Sequence, residues 1–581
     1  MKGIQKIIES KYGWLLLLIL LVAVNWLASS FHSRLDLTRE KRYTLSRATK
    51  DLLNSLDGDV QIDVFLKGDF PSGFRKLANS TEEFLQLLKD QKSSRIHYNF
   101  ISPQETLPGS DSTYETSLVK LGAAAINLTV QVKAGQENKR VYPVAVIKYN
   151  GRQSLVNLYS GGKRMITAVE MNSAEAMMEY QFAKSLDELV HTDKPLIGYS
   201  IGNGEPELGV DMVNGQPVYR DARTADLEQT LRSKYQLFTL NLHNQPIIPD
   251  TFKALVIVKP TLQFSEDEKL KIDQYVMRGG KLLLFIDALI AEQDSLHYKN
   301  STVAFDRNLN LTDMLFRYGV RINSSLIMDL QCDFLPFAAG GTQEHPQYEY
   351  LHWNYYPLFE SKGNHTINKN LGLVAGRFVN PIDTISSPGV NKTILLSSSA
   401  NSRILNTPVL ISVNENRNEP EDEKFKRHDI PVAYLLEGKF TSLFRNRIPR
   451  GKADSLGMLG VPFRESSVDN GKMIVVGDGD IVLNDVTENG PIPMGLNLFT
   501  VGSQYEYQFA NRDFLLNSLE YLVSNPAISE TRNKDIILRL LDPTRVKEQK
   551  TTWQFINIAL PVLLIILCGF IYQQLRKRRF A

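Results

Sequence analysis

Two apolar segments, one near each end of the sequence, constrain the fold of this 581-residue chain most strongly. Residues 14–31 and 553–573 contain no Asp, Glu, Lys or Arg, whereas the region between them has the mixed composition of a water-soluble protein. A helix rises about 1.5 Å per residue, so roughly 17 to 25 apolar residues cross the hydrocarbon of a bilayer. Both segments are therefore predicted to be single-pass membrane helices that flank a large soluble region.

The flanking charges predict which side of the membrane each part occupies. The last residues, 574–581, include Arg576, Lys577, Arg578 and Arg579 and no acidic residue, and short basic flanks tend to stay in the cytoplasm. With two spans, residues 1–13 lie in the cytoplasm as well, and residues 32–552 lie in the periplasm. The alternative for the first segment is a cleaved signal peptide, but its apolar run exceeds the usual ~7 to 15 residues. We therefore expect a two-pass protein of the cytoplasmic (inner) membrane.

The overall composition excludes several classes of protein. There are 66 Lys and Arg against 64 Asp and Glu, so the chain lacks the basic excess that is typical of nucleic-acid binding. Its two cysteines, Cys332 and Cys568, do not form a disulfide framework. Two membrane helices cannot enclose a transport channel by themselves. Any channel that this chain serves must come from another subunit.

Residues 32–193 are predicted to form a membrane-proximal α+β domain. Residues 60–101 contain two alternating runs of apolar and polar residues around a helical segment, which is typical of a β-α-β unit. Asn150 and Gly151 separate two further strand-like runs, and this pair favours a hairpin turn. A helical pattern over residues 174–190 ends shortly before a proline, which prevents its continuation. We place the domain boundary at this proline.

Residues 194–530 are predicted to form an α/β domain with a mostly parallel sheet. Apolar strands that alternate with helices are typical of a sheet covered on both faces. Two inserts interrupt the alternation, near residues 335–380 and 413–430, and residues 531–552 are expected to form a stalk before the second membrane helix. The predicted strands and helices cover residues 196–201, 225–233, 254–258, 265–277, 281–287, 393–396, 431–436, 473–476 and 514–523.

Sequence motifs for nucleotide and metal chemistry are missing. The chain has no Gly-x-x-x-x-Gly-Lys-Ser/Thr loop, no His-Glu-x-x-His helix and no Cys-x-x-Cys pair. His345 and His352, seven residues apart on a loop-like stretch, are the nearest approach to a pair of metal ligands, and we interpret them as incidental. We therefore predict no cofactor, no metal and no catalytic residue.

Polar residues follow several predicted strands of the α/β domain. Asn203 and Glu205 follow its first strand, Asp287 ends another, and Asp478 and Asp480 follow the strand at residues 473–476. In open parallel sheets, ligands bind at the carboxyl ends of strands, near helix N-termini. The same residue types also form turns and helix caps, so two interpretations remain open. The five residues either shape local turns or form a site for a polar ligand or a partner protein.

An aromatic run lies between these strands. Its rings combine a large contact area with few rotatable bonds, which suits a protein interface. The alternative is that the run packs one part of the domain against another. The residues predicted to contact a partner are Tyr348, Tyr350, Trp353, Tyr355 and Tyr356.

Several segments, together with the two apolar ends, resemble one known family over nearly the whole chain. The chain is similar to the gliding-associated ABC transporter auxiliary proteins of the Bacteroidetes, which are often labelled substrate-binding. The segments that carry the resemblance are Arg34 to Thr38, Lys41 to Ser46, Asn203 to Glu205, Gly279 to Asp287, Val476 to Asp478 and Asn511 to Leu522.

The resemblance implies a membrane-anchored subunit that works with a separate permease subunit, a separate cytoplasmic ATPase and other proteins of the gliding apparatus or cell envelope. It also implies an α/β domain similar to flavodoxin-like domains and class I glutamine amidotransferases. Those amidotransferases use a Cys-His-Glu set, whereas residues 196–287 contain no cysteine and Cys332 lacks flanking glycines. We therefore predict a non-catalytic accessory subunit of an ABC transporter complex required for gliding motility.

Two other functions remain open at this point. The chain could be a degenerate or cryptic hydrolase of the cell envelope that uses the region of Glu205, Asp287 and Asp478. It could also be a structural envelope linker that is independent of any transporter. Association with a permease and an ATPase would separate the accessory subunit from the linker.

Overall fold

The protein is described from a computed structural model that covers residues 44–524 and 543–580, with short gaps, and a few isolated residues elsewhere. The predicted first membrane helix, residues 14–31, lies outside the described residues apart from four isolated positions. The chain divides into two compact units, Met1–Lys534 and Asp535–Ala581. The gaps within the described ranges are residues 69, 93, 110, 124, 133–134, 160–167, 192, 215, 294–295, 297–298, 343–345, 364, 415–421 and 469–470.

The first part of the chain forms a small α+β layer, as its sequence patterns predict. Its main sheet has the order β2-β1-β5-β6, and the parallel pair β1 and β2 with the helix between them confirms the β-α-β unit. Asn150 (φ 48°) and Gly151 (φ 75°) turn β5 back onto β6, which confirms the predicted hairpin. The elements are α1 (Arg47–Asn54), β1 (Val60–Val64), α2 (Ser72–Gln91), β2 (Ile96–Phe100), α3 (Tyr114–Lys120), β3 (Ile126–Val132), β4 (Gly135–Val141), β5 (Val144–Tyr149), β6 (Arg152–Asn157) and α4 (Ala168–Val190).

The second part of the chain, from residue 196 to residue 523, is a larger α/β region. Three short 3-10 helices accompany its strands and helices, at Ala222–Thr224, Asp422–Lys424 and Asp480–Val482. The elements are β7 (Leu196–Ile201), β8 (Val210–Val213), β9 (Gln216–Tyr219), α5 (Ala225–Lys234), β10 (Gln236–Asn241), β11 (Ala254–Val258), α6 (Glu266–Met277), β12 (Lys281–Phe285), β13 (Leu289–Ile290), β14 (Ser301–Asp306), α7 (Thr312–Tyr318), β15 (Val320–Ile322), β16 (Ser325–Asp329), β17 (Cys332–Gly341), β18 (Pro346–Ser361), β19 (Val374–Ala375), β20 (Ile382–Thr384), β21 (Val390–Ser397), β22 (Ser402–Asn406), β23 (Val409–Ser412), β24 (Pro431–Gly438), α8 (Arg450–Met458), β25 (Gly471–Val476), β26 (Val486–Thr487), β27 (Gly490–Pro491) and α9 (Asn511–Val523).

The central sheet of this region has ten strands and mixed direction. Its order is β10-β7-β11-β12-β25-β24-β21-β18-β17, with β19 paired to β18. The first five strands are parallel, but β24, β21, β18 and β17 continue the sheet in antiparallel pairs. The expectation of a mostly parallel sheet is therefore correct for one half only. The other half includes the hairpin of β17 and β18, in the segment that the sequence suggested was an insert.

The parallel half of the sheet is covered by helices on both faces. Successive residues of its strands point to opposite faces, so neighbouring residues enter different cores. Val256 and Ile474 pack into one apolar core, which includes side chains of α5 and α9. Leu255 and Val475 pack into a second core, which includes side chains of α6, α7 and α8. All five residues of β11 are buried, which explains its continuous apolar sequence.

Helix α6 begins and ends where its sequence predicts. The Ser265 side chain accepts a hydrogen bond from the Glu268 backbone N–H, and the Glu268 carboxylate accepts one from the Ser265 backbone N–H at 2.8 Å. This reciprocal pair satisfies amides that the first helical turn leaves free. Gly279 (φ 99°) then takes the left-handed conformation that terminates the helix. The chain is thereby returned to the sheet at β12.

A polar contact joins the small α+β layer to the α/β region. The Tyr180 hydroxyl on α4 donates a short hydrogen bond to the Glu520 carboxylate on α9. Lys184, one turn along α4, places its Nζ 2.6 Å from the same carboxylate. Because Tyr180 and Glu520 are both buried, this contact fixes α4 against α9.

The last unit is described from residue 543 as one long helix, α10 (Pro543–Phe580), which includes part of the predicted stalk and most of the basic tail. By length and composition, Gln549–Gln574 within it could cross a membrane, and none of its most apolar window is buried by the rest of the described structure. Among the described residues this is the one segment with that property.

Candidate functional site

The parallel strands bring three of the predicted site residues together. Asp287 follows β12, and Asp478 and Asp480 follow the neighbouring parallel strand β25. The carboxyl ends of these two strands meet at one edge of the sheet, so the three residues lie close together. Carboxylate oxygens of the three residues lie within 4.8 Å of one another. Asp287 and Asp478 are buried, and Asp480 is partly exposed. We call these three residues the acidic cluster.

Lys259 supplies the positive charge for this cluster. It follows β11, and its Nζ lies 2.6 Å from Asp480 Oδ1, 3.4 Å from Asp287 Oδ2 and 3.0 Å from Glu292 Oε2. Its backbone has φ 44°, which is unusual for a residue with a long side chain. Burial alone would lower the pKa of Lys259, but the surrounding carboxylates raise it above its usual value. The lysine is therefore held in the charged form.

The three acids differ in their readiness to ionise. Burial raises the pKa of Asp287 to about 6, against the opposing effect of Lys259. Burial and the two neighbouring carboxylates raise the pKa of Asp478 well above its usual value. Burial also acts on Asp480, but its contact with Lys259 outweighs this and lowers the pKa. The cluster thus contains an Asp480–Lys259 ion pair beside Asp287 and Asp478, which ionise less readily than an exposed aspartate.

This arrangement suits a structural ion cluster better than a metal centre. Three carboxylates at this spacing are a reasonable ligand set for a divalent cation. However, the Lys259 ammonium already contacts two of them and neutralises part of their charge. Asp478 also accepts hydrogen bonds from the backbone N–H groups of Arg377 (2.8 Å) and Asp480 (2.7 Å). The carboxylates therefore hold in place the loop that follows β25, which we call the β25 loop.

The pKa of Asp287 predicts a pH-dependent stability. Between about pH 4 and pH 6 the folded chain keeps a proton on Asp287 that the unfolded chain has released, so stability falls as the pH rises. A difference of about 2 pKa units corresponds to a loss of about 3 kcal/mol. We expect Asp287→Asn to flatten this part of the profile, as measured by urea denaturation at four pH values. Parallel profiles for the two proteins would contradict the assignment.

Asn203 and Glu205 are not members of the acidic cluster and stabilise the turn after β7, where Glu205 lines a cleft together with Lys259. Glu205 accepts hydrogen bonds from the Ser200 hydroxyl (2.8 Å) and from the Asn203 backbone N–H (2.7 Å). Burial raises the pKa of Glu205. The Asn203 backbone carbonyl in turn accepts hydrogen bonds from the backbone of Thr261 and Leu262. These contacts connect the ends of β7 and β11, which matches the interpretation of both residues as turn formers.

The end of β7 also contains a pattern that sequence reasoning missed. Gly198-Tyr199-Ser200-Ile201-Gly202 has the Gly-x-Ser-x-Gly spacing of a nucleophile elbow. Such a serine must sit on an exposed, sharp turn between a strand and a helix. Ser200 instead lies within β7, is fully buried and donates its hydroxyl proton to Glu205. The spacing therefore does not form a catalytic elbow here.

A cleft of about 380 Å³ opens above Lys259. Its walls contain both acids and bases, and the bases among them are paired. Arg223 is 2.7 Å from Asp221, and Arg220 is 3.0 Å from Asp211. The cleft therefore presents a nearly balanced polar surface. It is lined by Gly204, Glu205, Pro206, Glu207, Arg220, Asp221, Arg223, Lys259, Thr261 and Glu292.

A second ion pair lies behind the acidic cluster. Arg377 makes a two-pronged contact with Asp485, with both N–O distances at 2.6 Å, and its guanidinium lies 5.3 Å from the centre of the Tyr356 ring. The Tyr356 hydroxyl is buried and has no hydrogen-bond partner within the part of the chain that the structure describes. It borders a cavity of about 20 Å³, also lined by Asp333 and Asp480, which is room for one water molecule.

The aromatic run divides into a buried and an exposed part. Trp353, Tyr355 and Tyr356 are at most 2% exposed and belong to one apolar core, so they cannot contact a partner in this fold. Tyr348 is 59% exposed, and Tyr350 stacks on Tyr505 with their ring centres 4.9 Å apart. The three buried rings favour the alternative of internal packing. For Tyr348 and Tyr350, contact with a partner stays a prediction.

The remaining histidine and cysteine candidates have structural contacts. His352 lies in strand β18 rather than in the expected loop, and its Nδ1 is 2.8 Å from the Cys332 backbone carbonyl. His345 lies outside the described residues. Burial raises the pKa of the Cys332 thiol, which keeps it protonated. His352 is therefore not placed for metal binding, and Cys332 is not placed for nucleophilic attack.

Comparison with known proteins assigns the region that contains this site. Residues 194–518 match the family described as "ABC-type uncharacterized transport system". The chain belongs to this family. Members of the ABC-type transport system family are auxiliary components of such systems. This confirms the part of the sequence resemblance that concerns an ABC transport system. Residues 39–148 match a second family, a domain of unknown function.

Three known proteins are similar to this chain of the ABC-type transport system family at 21% identity or less. An uncharacterized protein of Borreliella burgdorferi is 21% identical over 467 residues, which are 79% of each chain. A solved structure described as "mmIFT52 N-terminal domain" aligns with 57% of this chain and 98% of its own, at 13% identity and a TM-score of 0.30. An exo-beta-1,4-mannosidase from Opitutaceae bacterium strain TAV5 aligns with 76% of this chain and 51% of its own, at 11% identity and a TM-score of 0.18.

Proposed function

We propose that this chain is a non-catalytic, membrane-anchored accessory subunit of an ABC transporter complex, with its large domain outside the cytoplasm. The observation that carries this proposal is the family match over residues 194–518, which includes the acidic cluster and Lys259. The partners are a membrane-embedded permease subunit and a cytoplasmic ATPase. The α/β region would hold a ligand or grip another envelope protein.

The charges of the candidate site support a non-catalytic role. A nucleophilic lysine needs a lowered pKa, whereas the carboxylates around Lys259 raise its pKa. A general base must reach substrate, but the Asp287 and Asp478 side chains are buried and bonded to the β25 loop. The alternative, a cryptic hydrolase, would need these groups to be released from their contacts.

Substitution of the acidic residues distinguishes the non-catalytic subunit from the hydrolase. We expect Glu205→Gln and Asp287→Asn, which keep the size of the side chains and remove their negative charge, to leave association with the permease and ATPase unchanged. Transport-dependent growth or movement should then be retained too. If assembly is intact but function is abolished, the hydrolase is supported instead. Urea denaturation of each variant shows whether folding has been preserved.

Membrane anchoring is supported by helix α10. Its segment Gln549–Gln574 is long and apolar enough to cross a bilayer, and the basic residues 576–579 follow directly. Trp553 and Tyr572 lie near its two ends, where amphipathic rings settle at the level of the lipid headgroups. We propose a two-pass topology with both termini in the cytoplasm and residues 32–552 in the periplasm. The first span is proposed from its sequence alone.

The exposed Met458 provides a test of this orientation. Met458 is 89% exposed, whereas the natural Cys332 is buried. We expect Met458→Cys to react with a membrane-impermeant thiol reagent added to cells whose outer membrane has been permeabilised. The unmodified chain is the control for labelling of Cys332 and Cys568. Labelling of the new cysteine only after the cytoplasmic membrane is opened would reverse the proposed topology.

The narrower role is a contribution to gliding motility, as in the GldG proteins of gliding Bacteroidetes. It is supported by the segments Arg34 to Thr38 and Lys41 to Ser46 after the first apolar end, most of which lie outside the described residues. In this role, ATP hydrolysis in a partner moves the permease, and the membrane anchors pass the movement to the periplasmic domains. Deletion of the gene should then abolish surface movement while cell growth continues.

A further inference from the structure

A row of lysines lies at the amino ends of the parallel strands, opposite to the end that carries the acidic cluster. Lys253 directly precedes β11, Lys281 begins β12, and Lys472 is the second residue of β25. Lys439 follows β24, whose last residue pairs with the first residue of β25. The four strands are neighbours in the sheet and lie ~4.8 Å apart, so the row extends over about 15 Å. We call Lys253, Lys281, Lys472 and Lys439 the lysine row.

The positive charge of the lysine row is only partly neutralised. Lys472 lies 3.8 Å from the Glu437 carboxylate. Among the residues that the structure describes, Lys253, Lys281 and Lys439 form no ion pair, and Lys253 and Lys439 are exposed. Burial and the neighbouring Lys472 and Lys253 lower the pKa of Lys281, which shows that these lysines repel one another. An anionic partner at the row would relieve this repulsion.

The chain leaves the α/β region beside the lysine row. Near the end of α9, the Tyr521 hydroxyl donates a hydrogen bond to Glu437 at 2.7 Å, and the Tyr521 ring centre lies 3.9 Å from Lys472 Nζ. Helix α9 ends shortly afterwards, at Val523. The next described helix along the chain is α10, which contains the segment that could cross a membrane. The row therefore occupies the end of the α/β region from which the chain continues to its membrane segment.

The parts of this chain next to its two apolar ends do not supply the missing negative charge. Residues 1–43 contain seven Lys and Arg against three Asp and Glu, and residues 525–542 contain three of each kind. Residues 574–581 are basic and contain no acidic residue. A bilayer that contains anionic lipids offers an extended negative surface, and each lysine close to it adds to the attraction. This surface matches a row of lysines along the ends of four strands.

We propose that the lysine row contacts the anionic phospholipid headgroups of the membrane in which α10 is anchored. The ammonium groups of the row lie against lipid phosphates, and the end of the strands with the acidic cluster faces away from the bilayer. The contact weakens as the ionic strength rises, because salt screens charges at a surface. This inference rests on the membrane anchoring in the proposed function, and it adds a lipid-binding surface to the α/β region.

Quenching of a fluorophore by labelled lipid headgroups tests this contact in the full-length chain. In a Cys568→Ser background, the fluorophore is attached to Thr251→Cys, close to Lys253, or to Leu262→Cys, beyond the other end of β11. Both positions are exposed, whereas the natural Cys332 is buried. The vesicles contain phosphatidylcholine and phosphatidylglycerol, with a small share of lipid that carries a spin label on its headgroup.

The lipid composition decides the outcome of this experiment. We expect quenching at Thr251→Cys to be at least about threefold stronger than at Leu262→Cys, because the amino ends of the strands lie at the headgroups. The difference should disappear in vesicles without phosphatidylglycerol. Equal quenching at the two positions, or a difference that does not depend on phosphatidylglycerol, would overturn the proposal.

Removal of two lysines gives an independent measurement. The double variant Lys253→Gln with Lys439→Gln takes two exposed charges out of the row without breaking an ion pair among the described residues. We expect quenching at Thr251→Cys to fall at least about twofold. The matched control, Lys299→Gln with Lys426→Gln, removes the same charge from exposed positions outside the row and should retain the quenching. An equal loss in both double variants would contradict a specific role of the row.

Flotation of the same vesicles separates this inference from the proposed anchoring. The full-length chain should float with the vesicles at high salt, because the apolar segment of α10 holds it in the bilayer. If the chain floats but Thr251→Cys is quenched no more than Leu262→Cys, the lipid contact is wrong while the anchoring stands. If the chain does not float, the proposed anchoring fails and the lipid contact fails with it.

Discussion

Replacing Lys259 by methionine is expected to lower the free energy of unfolding by about 3 to 5 kcal/mol. Its ammonium lies within 3.4 Å of carboxylate oxygens from Asp480, Asp287 and Glu292, and the side chain is 4% exposed. Removal of one partner from a buried ion pair leaves the remaining charges without compensation. The loss would be measured by urea denaturation of the full-length chain in detergent, followed by circular dichroism.

A second substitution provides the control for this result. Asp480→Asn removes the carboxylate closest to Lys259, at 2.6 Å, so the double variant Lys259→Met with Asp480→Asn contains one uncompensated charge fewer. The double variant should be more stable than the sum of the two single effects predicts. Additive effects would mean that Lys259 and Asp480 do not stabilise each other.

The second large effect is expected from Trp353→Ala, at about 3 to 5 kcal/mol of stability. The Trp353 indole is 1% exposed, lies 4.8 Å from the Tyr356 ring and 5.8 Å from the Phe378 ring, and donates a hydrogen bond to the Ser412 carbonyl at 3.2 Å. Its removal leaves a large cavity in the core of the antiparallel half. The measurement is the urea midpoint of the variant.

Tyr348→Ala is the matched control from the same strand. Because Tyr348 is 59% exposed, its truncation should change stability by less than about 0.5 kcal/mol. Trp353 would instead be a partner-binding residue if Trp353→Ala left stability unchanged and weakened association with another protein. That outcome would contradict the placement of Trp353 in the core.

Local sequence patterns were sufficient to predict much of the parallel half. The five apolar residues of β11 and the capping box of α6 depend on neighbours in the chain, so the sequence alone indicates both. The same is true of the hairpin at Asn150 and Gly151. The acidic cluster could be anticipated because carboxyl ends of neighbouring parallel strands meet at one edge of the sheet.

Features that depend on distant parts of the chain could not be predicted in this way. The antiparallel pairing of β24 with β25 sets the direction of the other half of the sheet, and no local pattern specifies it. Lys259 contacts Asp480, which is 221 positions away. A lysine directly after a buried strand was the available signal, but its partners became visible only in the fold. The burial of Trp353 likewise depends on β16, β22 and β23 around it.

Affinity purification of the full-length chain from gently solubilised membranes tests the central claim most directly. Mass spectrometry of the purified material should identify a polytopic permease and an ABC-type ATPase in amounts comparable with the chain itself. A chain expressed without residues 543–581 is the control, because it lacks helix α10. An accessory subunit predicts both partners with the full-length chain and reduced amounts with the truncated one. Recovery of the full-length chain with neither partner would contradict the account.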